Sequence, residues 1–334
     1  MLTASPRPLS EEYDLALVDL DGVVYLGPEP VPHASAGLQA ARSAGMGVVF
    51  VTNNASREPG TVADQLRSLG IAAESDEVLT SAQTAVALLG DVVGLGASVL
   101  VVGGPGLVTA VREAGYRMVA SADDRPDAVI QGFGPDVSWH DLAEASYAIG
   151  RGARYVVTNR DLTQPKERGI APGNGTLVAA VVTTTGVEPV SAGKPEPAMF
   201  QQAVRMRGAT RPIVIGDRLD TDLGGARAAG FDGLLVLTGV CTGRDAVLAP
   251  ATQRPQYIGA DLRTLHEAHP APEPNGEGWW VCRGAAARVT QDGVLELGGD
   301  GTDQLDRIRA ACAASWAASE PGGPGLDAAT VPSF

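Results

Sequence analysis

Residues 15–22 read Leu15-Ala16-Leu17-Val18-Asp19-Leu20-Asp21-Gly22. An apolar run of this kind fits a strand buried on both faces, and it stops at two acids separated by one residue. Carboxylates at the end of a buried strand can hold a hard cation and aim one oxygen at a substrate. Gly22 then lets the backbone turn away closely. This pair makes an α/β chain a candidate for phosphoryl transfer.

Short β-branched runs recur along the chain and predict strands over 14–19, 47–51, 98–102, 127–131, 154–158, 212–216 and 233–237. Helical patterns over 35–44, 58–69, 139–151, 196–207 and 221–229 alternate with them. Strand–helix alternation with doubly apolar strands predicts parallel sheets covered on both faces. The 212–216 strand ends in Asp217, as the first strand ends in Asp19, so both acids belong at the carboxyl edge of one sheet, where open α/β sheets place ligands. The expected fold is therefore α/β. It has a Rossmann-like core of residues 10–82 and 188–268, an inserted α/β cap of residues 83–187 with three strands of its own, and a small α+β appendage. The Pro/Gly-rich stretch after His269 reads as a linker. Three short strands and a helix follow within 275–317, and residues 318–334 read as disordered.

Composition narrows the function. The 334 residues carry 25 basic against 39 acidic side chains, a net charge of −14, which disfavours nucleic acid and anionic membranes as partners. Residues 92–111 are uncharged and long enough to span a bilayer. Five glycines and Pro105 break them into turn, strand, turn and helix, so a soluble reading is preferred. Three widely spaced cysteines fit free thiols in a reducing, cytoplasmic setting. Whether the chain forms a homo-oligomer is left open. Only Lys166 and Lys194 are lysines among the 25 basic residues, leaving 23 arginines, so each lysine invites a question.

Phosphoryl transfer needs a nucleophile, a proton donor for the leaving group, a cation, and donors for the phosphoryl oxygens. Asp19 is the candidate nucleophile, forming an aspartyl-phosphate, and Asp21 the candidate acid–base. Thr52, Asn53 and Asn54 end the second strand and offer a hydroxyl, two amides and backbone N–H groups to phosphate; the plainer reading is a strand-to-helix turn. Lys194 would balance the charge of Asp19 and phosphate; an exposed lysine opening a helix is its plainer reading. Pro195 follows it where a nucleotide-binding loop needs Ser or Thr, which excludes that loop. Asp217 would complete a Mg²⁺ shell with Asp19 and the backbone carbonyl of Asp21, with Asp222 behind it. Asp222 reads otherwise as a first-turn acid facing the helix dipole.

With these residues in this order, the chain resembles the haloacid dehalogenase superfamily of phosphatases. The Asp19–Asp21 segment is similar to its first motif, Thr52 to its second, Lys194 to its third and Gly216–Asp222 to its fourth. Thr52-Asn53-Asn54-Ala55-Ser56-Arg57 and Pro172-Gly173-Asn174-Gly175-Thr176 resemble the 4-nitrophenylphosphatase-like branch, which includes phosphoglycolate and glycerol-3-phosphate phosphatases. The resemblance covers about residues 12–268. It implies Mg²⁺ dependence, an aspartyl-phosphate intermediate and a cap that contacts a small phosphorylated metabolite. Asn159 and Arg160 are the cap candidates, with a polar turn as the alternative. The terminal segment looks like the extra unit of some actinobacterial-type glycerol-phosphate phosphatases, and glycerol 3-phosphate is the expected substrate. 2-Phosphoglycolate and sugar or nucleoside monophosphates stay open, as does a phospho-ligand-binding regulatory protein on the same fold. A nucleotide-dependent oxidoreductase is disfavoured, because no dinucleotide fingerprint follows a strand.

Overall fold

A computed structural model describes residues 1–166 and 168–334, and the side chains of all of these but 165 and 166. Its largest sheet has the order Tyr257–Gly259, Asp232–Val236, Pro212–Gly216, Leu15–Val18, Gly47–Thr52, Val78–Thr80. By contacts the chain divides into two units, one of residues 1–49, 69–72 and 204–334, the other of residues 50–68 and 73–203. The division falls inside the Gly47–Thr52 strand.

In the first unit, Leu15–Val18 pairs in parallel with Pro212–Gly216, with Leu15 opposite Pro212 and Val18 opposite Ile215. Every residue of both strands is buried, the pattern of a parallel sheet covered on two faces. Asp232–Val236 and Tyr257–Gly259 continue the sheet in parallel. The expected helix over 221–229 opens as a wide turn, Leu219–Leu223, before becoming α-helical at Gly224–Ala229. The amides of Asp222 and Leu223 both bond to the Arg218 carbonyl, and the Asp222 carboxylate accepts the Arg218 amide at 3.2 Å.

The terminal segment joins this unit through a shared core. Residues 273–299 form a four-stranded antiparallel sheet, Glu273–Pro274, Trp280–Cys282, Ala285–Val289 and Leu295–Gly299, so the expected linker already contributes a strand. The helix Gln304–Ala318 packs Ile308, Cys312 and Trp316 into one cluster with Leu235 and Ile258 of the parallel sheet and Cys282 and Ala287 of the antiparallel one. Trp316 is fully buried, and its indole N–H donates to Ala246 O at 3.2 Å. A buried ion pair, Arg309–Asp306 at 2.8 Å, sends a second arm of the guanidinium to Ile258 O at 2.8 Å. Trp279 lies under the Arg288 guanidinium, 4.5 Å from its ring centroid. Residues 318–334 differ from the expected disorder: Val331 is buried in the same cluster, and the Asp327 amide donates to Gly293 O at 2.8 Å.

The second unit holds a five-stranded parallel sheet in the order Val190–Ser191, Arg154–Val157, Ala128–Gln131, Ser98–Val102, Arg117–Val119. Three of these strands are the expected ones. The two edges, of two and three residues, are too short to stand out in sequence. One apolar cluster, including Leu89, Leu107 and Ile130, covers one face, and another, including Val129, Ile149 and Val178, covers the other. The segment 92–111 holds the expected Ser98–Val102 strand and the start of the Pro105–Glu113 helix, but begins with the end of the Ser81–Val93 helix where a turn was expected. Among the described residues no helix is long and apolar enough to cross a membrane.

Trp316→Ala is expected to cost about 3–5 kcal/mol, the range for deleting a buried aromatic, read as a lower urea midpoint. His269 supplies a pH signature. Its Nε2–H donates to Thr264 O at 3.0 Å, its ring packs edge-on against Tyr257 at 5.0 Å, and burial pushes its pKa down to about 4. The unfolded chain protonates His269 near its ordinary value of about 6.5. Its contribution is thus present above that pH and lost as pH falls toward 4, by up to about 3 kcal/mol. Urea midpoints should fall more steeply between pH 7 and 4.5 in the parent protein than in His269→Gln.

Candidate active site

Asp19 and Asp217 follow neighbouring parallel strands, and the strand register carries both to the same edge. The Asp19 amide donates to Ile215 O at 2.9 Å, which extends the ladder to the acid itself. Asp19, Asp217 and Asp222 are all buried, and one carboxylate oxygen from each lies within 4.8 Å of the others. At an effective dielectric of about 20, two charges at that distance repel by roughly 3 kcal/mol. Three such buried acids form a hard-oxygen donor set that suits Mg²⁺. Asp222, expected behind the ligands, stands within the acid group itself. Asp21 is exposed, and its backbone bridges to Tyr25.

The segment after the Asp232–Val236 strand closes over Asp217. The Val240 amide donates to Asp217 Oδ2 at 2.6 Å, and the Cys241 amide to Asp217 O at 3.1 Å. The Thr238 hydroxyl donates to Gly22 O at 2.6 Å. A Cβ at Gly22 or Gly239 would overlap the Asp217 carboxylate, and Gly22 also has a φ of +87°, so both positions need glycine. The Cys241 thiol accepts the Leu219 amide at 3.4 Å, and burial pushes its pKa up to about 11, so it stays protonated at neutral pH. All three cysteines are free thiols.

The remaining expected residues gather in the second unit. Thr52 is buried, and its Oγ1 accepts the Asn54 amide at 3.1 Å. Lys194 is buried, with Nζ 3.5 Å from Val51 O. Asn53 clasps the Lys194 peptide from both sides: its Oδ1 accepts the Lys194 amide at 2.8 Å and its Nδ2 donates to Lys194 O at 3.1 Å. The same Nδ2 reaches the Asp161 carboxylate at 3.0 Å. Asn53 O accepts from Asn159 Nδ2 at 2.7 Å and from Ser81 Oγ at 2.6 Å. The Asn53 amide, expected to face phosphate, is therefore engaged by the protein's own backbone and Asp161. Asn54 Oδ1 accepts from the amide and hydroxyl of Ser56, the Asx-turn geometry of the plainer reading. Arg160 is exposed and pairs with Glu188 at 3.0 Å and Pro189 O at 2.8 Å. The bonds of Asp161 to Asn53, of Val240 to Asp217 and of Thr238 to Gly22 were not expected from sequence. For Thr238 and Val240 the usable signal was position, just past the carboxyl end of a parallel strand.

Buried acids at the carboxyl edge of a doubly covered parallel sheet suit a metal-dependent α/β enzyme. Residues 16–117 match the haloacid dehalogenase-like hydrolase family and residues 191–265 a second HAD-hydrolase-like model, and the chain belongs to that family. It is 44% identical over 317 residues to the D-glycerol 3-phosphate phosphatase of Mycobacterium tuberculosis, covering 93% of this chain and 88% of that one. A crystal structure of the M. tuberculosis glycerol phosphate phosphatase with magnesium superposes with a TM-score of 0.85 at 44% identity, covering 94% of both chains. The acid sugar phosphatase of Staphylococcus saprophyticus is 35% identical over 257 residues, 76% of this chain and 97% of that one. The 4-nitrophenylphosphatase of Thermotoga maritima is similar at a TM-score of 0.72 and 28% identity, over 77% of this chain and 98% of that one. The chain is an enzyme of the phosphatase class, with Mg²⁺ as its cofactor. The regulatory-protein and oxidoreductase alternatives fall away.

Asn53→Ala should destabilise the protein by about 2 kcal/mol, because it strips partners from two partly buried peptides. Asn54→Ala loses a single turn cap and should cost about 1 kcal/mol. Chemical denaturation of the two variants side by side checks the order.

Proposed function

We propose that the chain hydrolyses glycerol 3-phosphate, through an aspartyl-phosphate formed on Asp19. The observation that carries the chemistry is the convergence of Asp19, Asp217 and Asp222 at one sheet edge. The substrate rests on the extent of similarity. The 93% coverage by the glycerol phosphatase leaves about 23 residues unmatched, fewer than the 60 from 275 to 334, so it takes in much of the terminal sheet and helix. The acid sugar phosphatase leaves about a quarter of the chain unmatched.

Asp19 Oδ attacks the phosphorus, and the bond from phosphorus to the alcohol oxygen breaks as Asp21 delivers a proton to that oxygen. The Asp21 carboxylate then takes a proton from water, whose oxygen attacks the phosphorus and releases phosphate and Asp19. Asp217 and Asp222, with Asp19, would hold Mg²⁺, which when bound neutralises charge on the phosphoryl oxygens. Thr52 and Lys194 are assigned to the phosphoryl oxygens by their motif positions. Asn159 and Arg160 are assigned to the substrate's alcohol portion by resemblance, although Asn159 also donates to Asn53 O and Arg160 pairs with Glu188.

Asp19→Asn is expected to lower kcat on the order of 10⁴-fold or more while leaving thermal unfolding intact. Acid-quenched protein should carry radiolabelled phosphate in the parent and not in the variant. Appreciable turnover by the variant would overturn the covalent route. A panel of glycerol 3-phosphate, 2-phosphoglycolate, sugar phosphates and nucleoside monophosphates tests the substrate. A higher kcat/KM for another member would overturn glycerol 3-phosphate.

A further inference from the structure

We propose that Thr238 is a positioning residue for Mg²⁺ binding, its hydroxyl pinning the turn after Asp21 to the segment that grips Asp217. Four bonds close a ring around the acids. The Asp19 amide ties the first acid to Ile215, two residues before Asp217. Asp217 is tied to the 238–241 segment twice, by Val240 N–H on its carboxylate at 2.6 Å and by Cys241 N–H on its carbonyl at 3.1 Å. Thr238 Oγ1, at 2.6 Å from Gly22 O, joins that segment to the turn that begins at Asp19.

The contact is selective for a short hydroxyl side chain. Gly22 and Gly239 sit so close to the Asp217 carboxylate that an added Cβ would overlap it, so the two backbones enclose this acid. The Gly22 amide is taken by Tyr25 O at 2.8 Å, and the Gly22 carbonyl receives the Thr238 proton. Valine has the shape of threonine without the donor. It would leave the carbonyl without that bond and let the Gly22 turn relax away from Asp217. Outer groups that orient metal-holding side chains typically govern 10–100-fold of metal affinity.

The proposal rests on Asp19, Asp217 and Asp222 as the Mg²⁺-holding acids, and its test separates the two claims. The measurement is the rise in melting temperature on titrating MgCl₂ into full-length protein, run beside the Mg²⁺ dependence of 4-nitrophenyl phosphate hydrolysis. Thr238→Val should need about 10–100-fold more Mg²⁺ for half-effect in both readouts, with kcat at saturating Mg²⁺ within about threefold of the parent. Thr238→Ser, which keeps the donor, should restore the parent midpoint. Asp217→Asn should abolish the response. A Thr238→Val midpoint equal to the parent's, even with a lower starting melting temperature, would overturn the positioning role. An Asp217→Asn protein that responds like the parent would overturn the acid assignment beneath it.

Discussion

The constraint on which the molecule turns is electrostatic: one oxygen from each of three buried carboxylates is brought within 4.8 Å of the others. Nothing local to any one segment does this. Asp19 arrives on one strand, Asp217 on the next, and Asp222 on the wide turn that follows. Only the parallel register, with Val18 opposite Ile215, levels the first two. The turn at Leu219–Leu223 brings the third round, its carboxylate held by the Arg218 amide. Like charges held that close repel, so such a cluster is compatible with folding when a divalent cation offsets them and the strands beneath are tightly packed. Those strands are buried along their whole length, which is the condition for keeping such a cluster shaped.

That packing extends beyond the parallel sheet. The cluster that includes Leu235 and Ile258 runs without a break into Cys282, Ala287, Ile308 and Trp316. The terminal sheet and helix thus cover the Asp232–Val236 and Tyr257–Gly259 strands of the parallel sheet. The Arg309 arm to Ile258 O makes the same join in polar form. A buried guanidinium is tolerable there because Asp306 and a carbonyl satisfy it.

Much of this was legible in sequence, and for identifiable reasons. Leu15–Val18 and Pro212–Gly216 read clearly because a doubly buried strand must be apolar throughout. Asp19 and Asp217 stand out because an acid directly after such a run has no packing reason to be there. The Asp-Gly turn at 292–293 likewise marked the terminal hairpin, and its strand lies at Leu295–Gly299. Side-chain partners were less readable. Asn53 and Asn54 look like donors in sequence, yet whether an amide faces a ligand or its own backbone depends on loops that meet it from residues 159–161 and 193–194. Thr238 offered only its position just past a strand end, because its partner Gly22 lies 216 residues away. The short edge strands Arg117–Val119 and Val190–Ser191 gain their conformation from a neighbour, and so carry little pattern of their own.

Composition sets the last physical problem. The chain carries a net charge of −14, yet its substrate class is anionic. A long-range field of that sign disfavours the approach of a phosphate ester, but screening confines it to about 8–10 Å at ordinary salt. Attraction must then be local and desolvated, where each charge counts most. A bound divalent cation supplies it without altering the acidic surface. Lys194, one of two lysines among 25 basic residues, is buried where most basic side chains are not. Asn53 clasps its peptide at both the N–H and the C=O, which fixes the backbone that carries this buried charge.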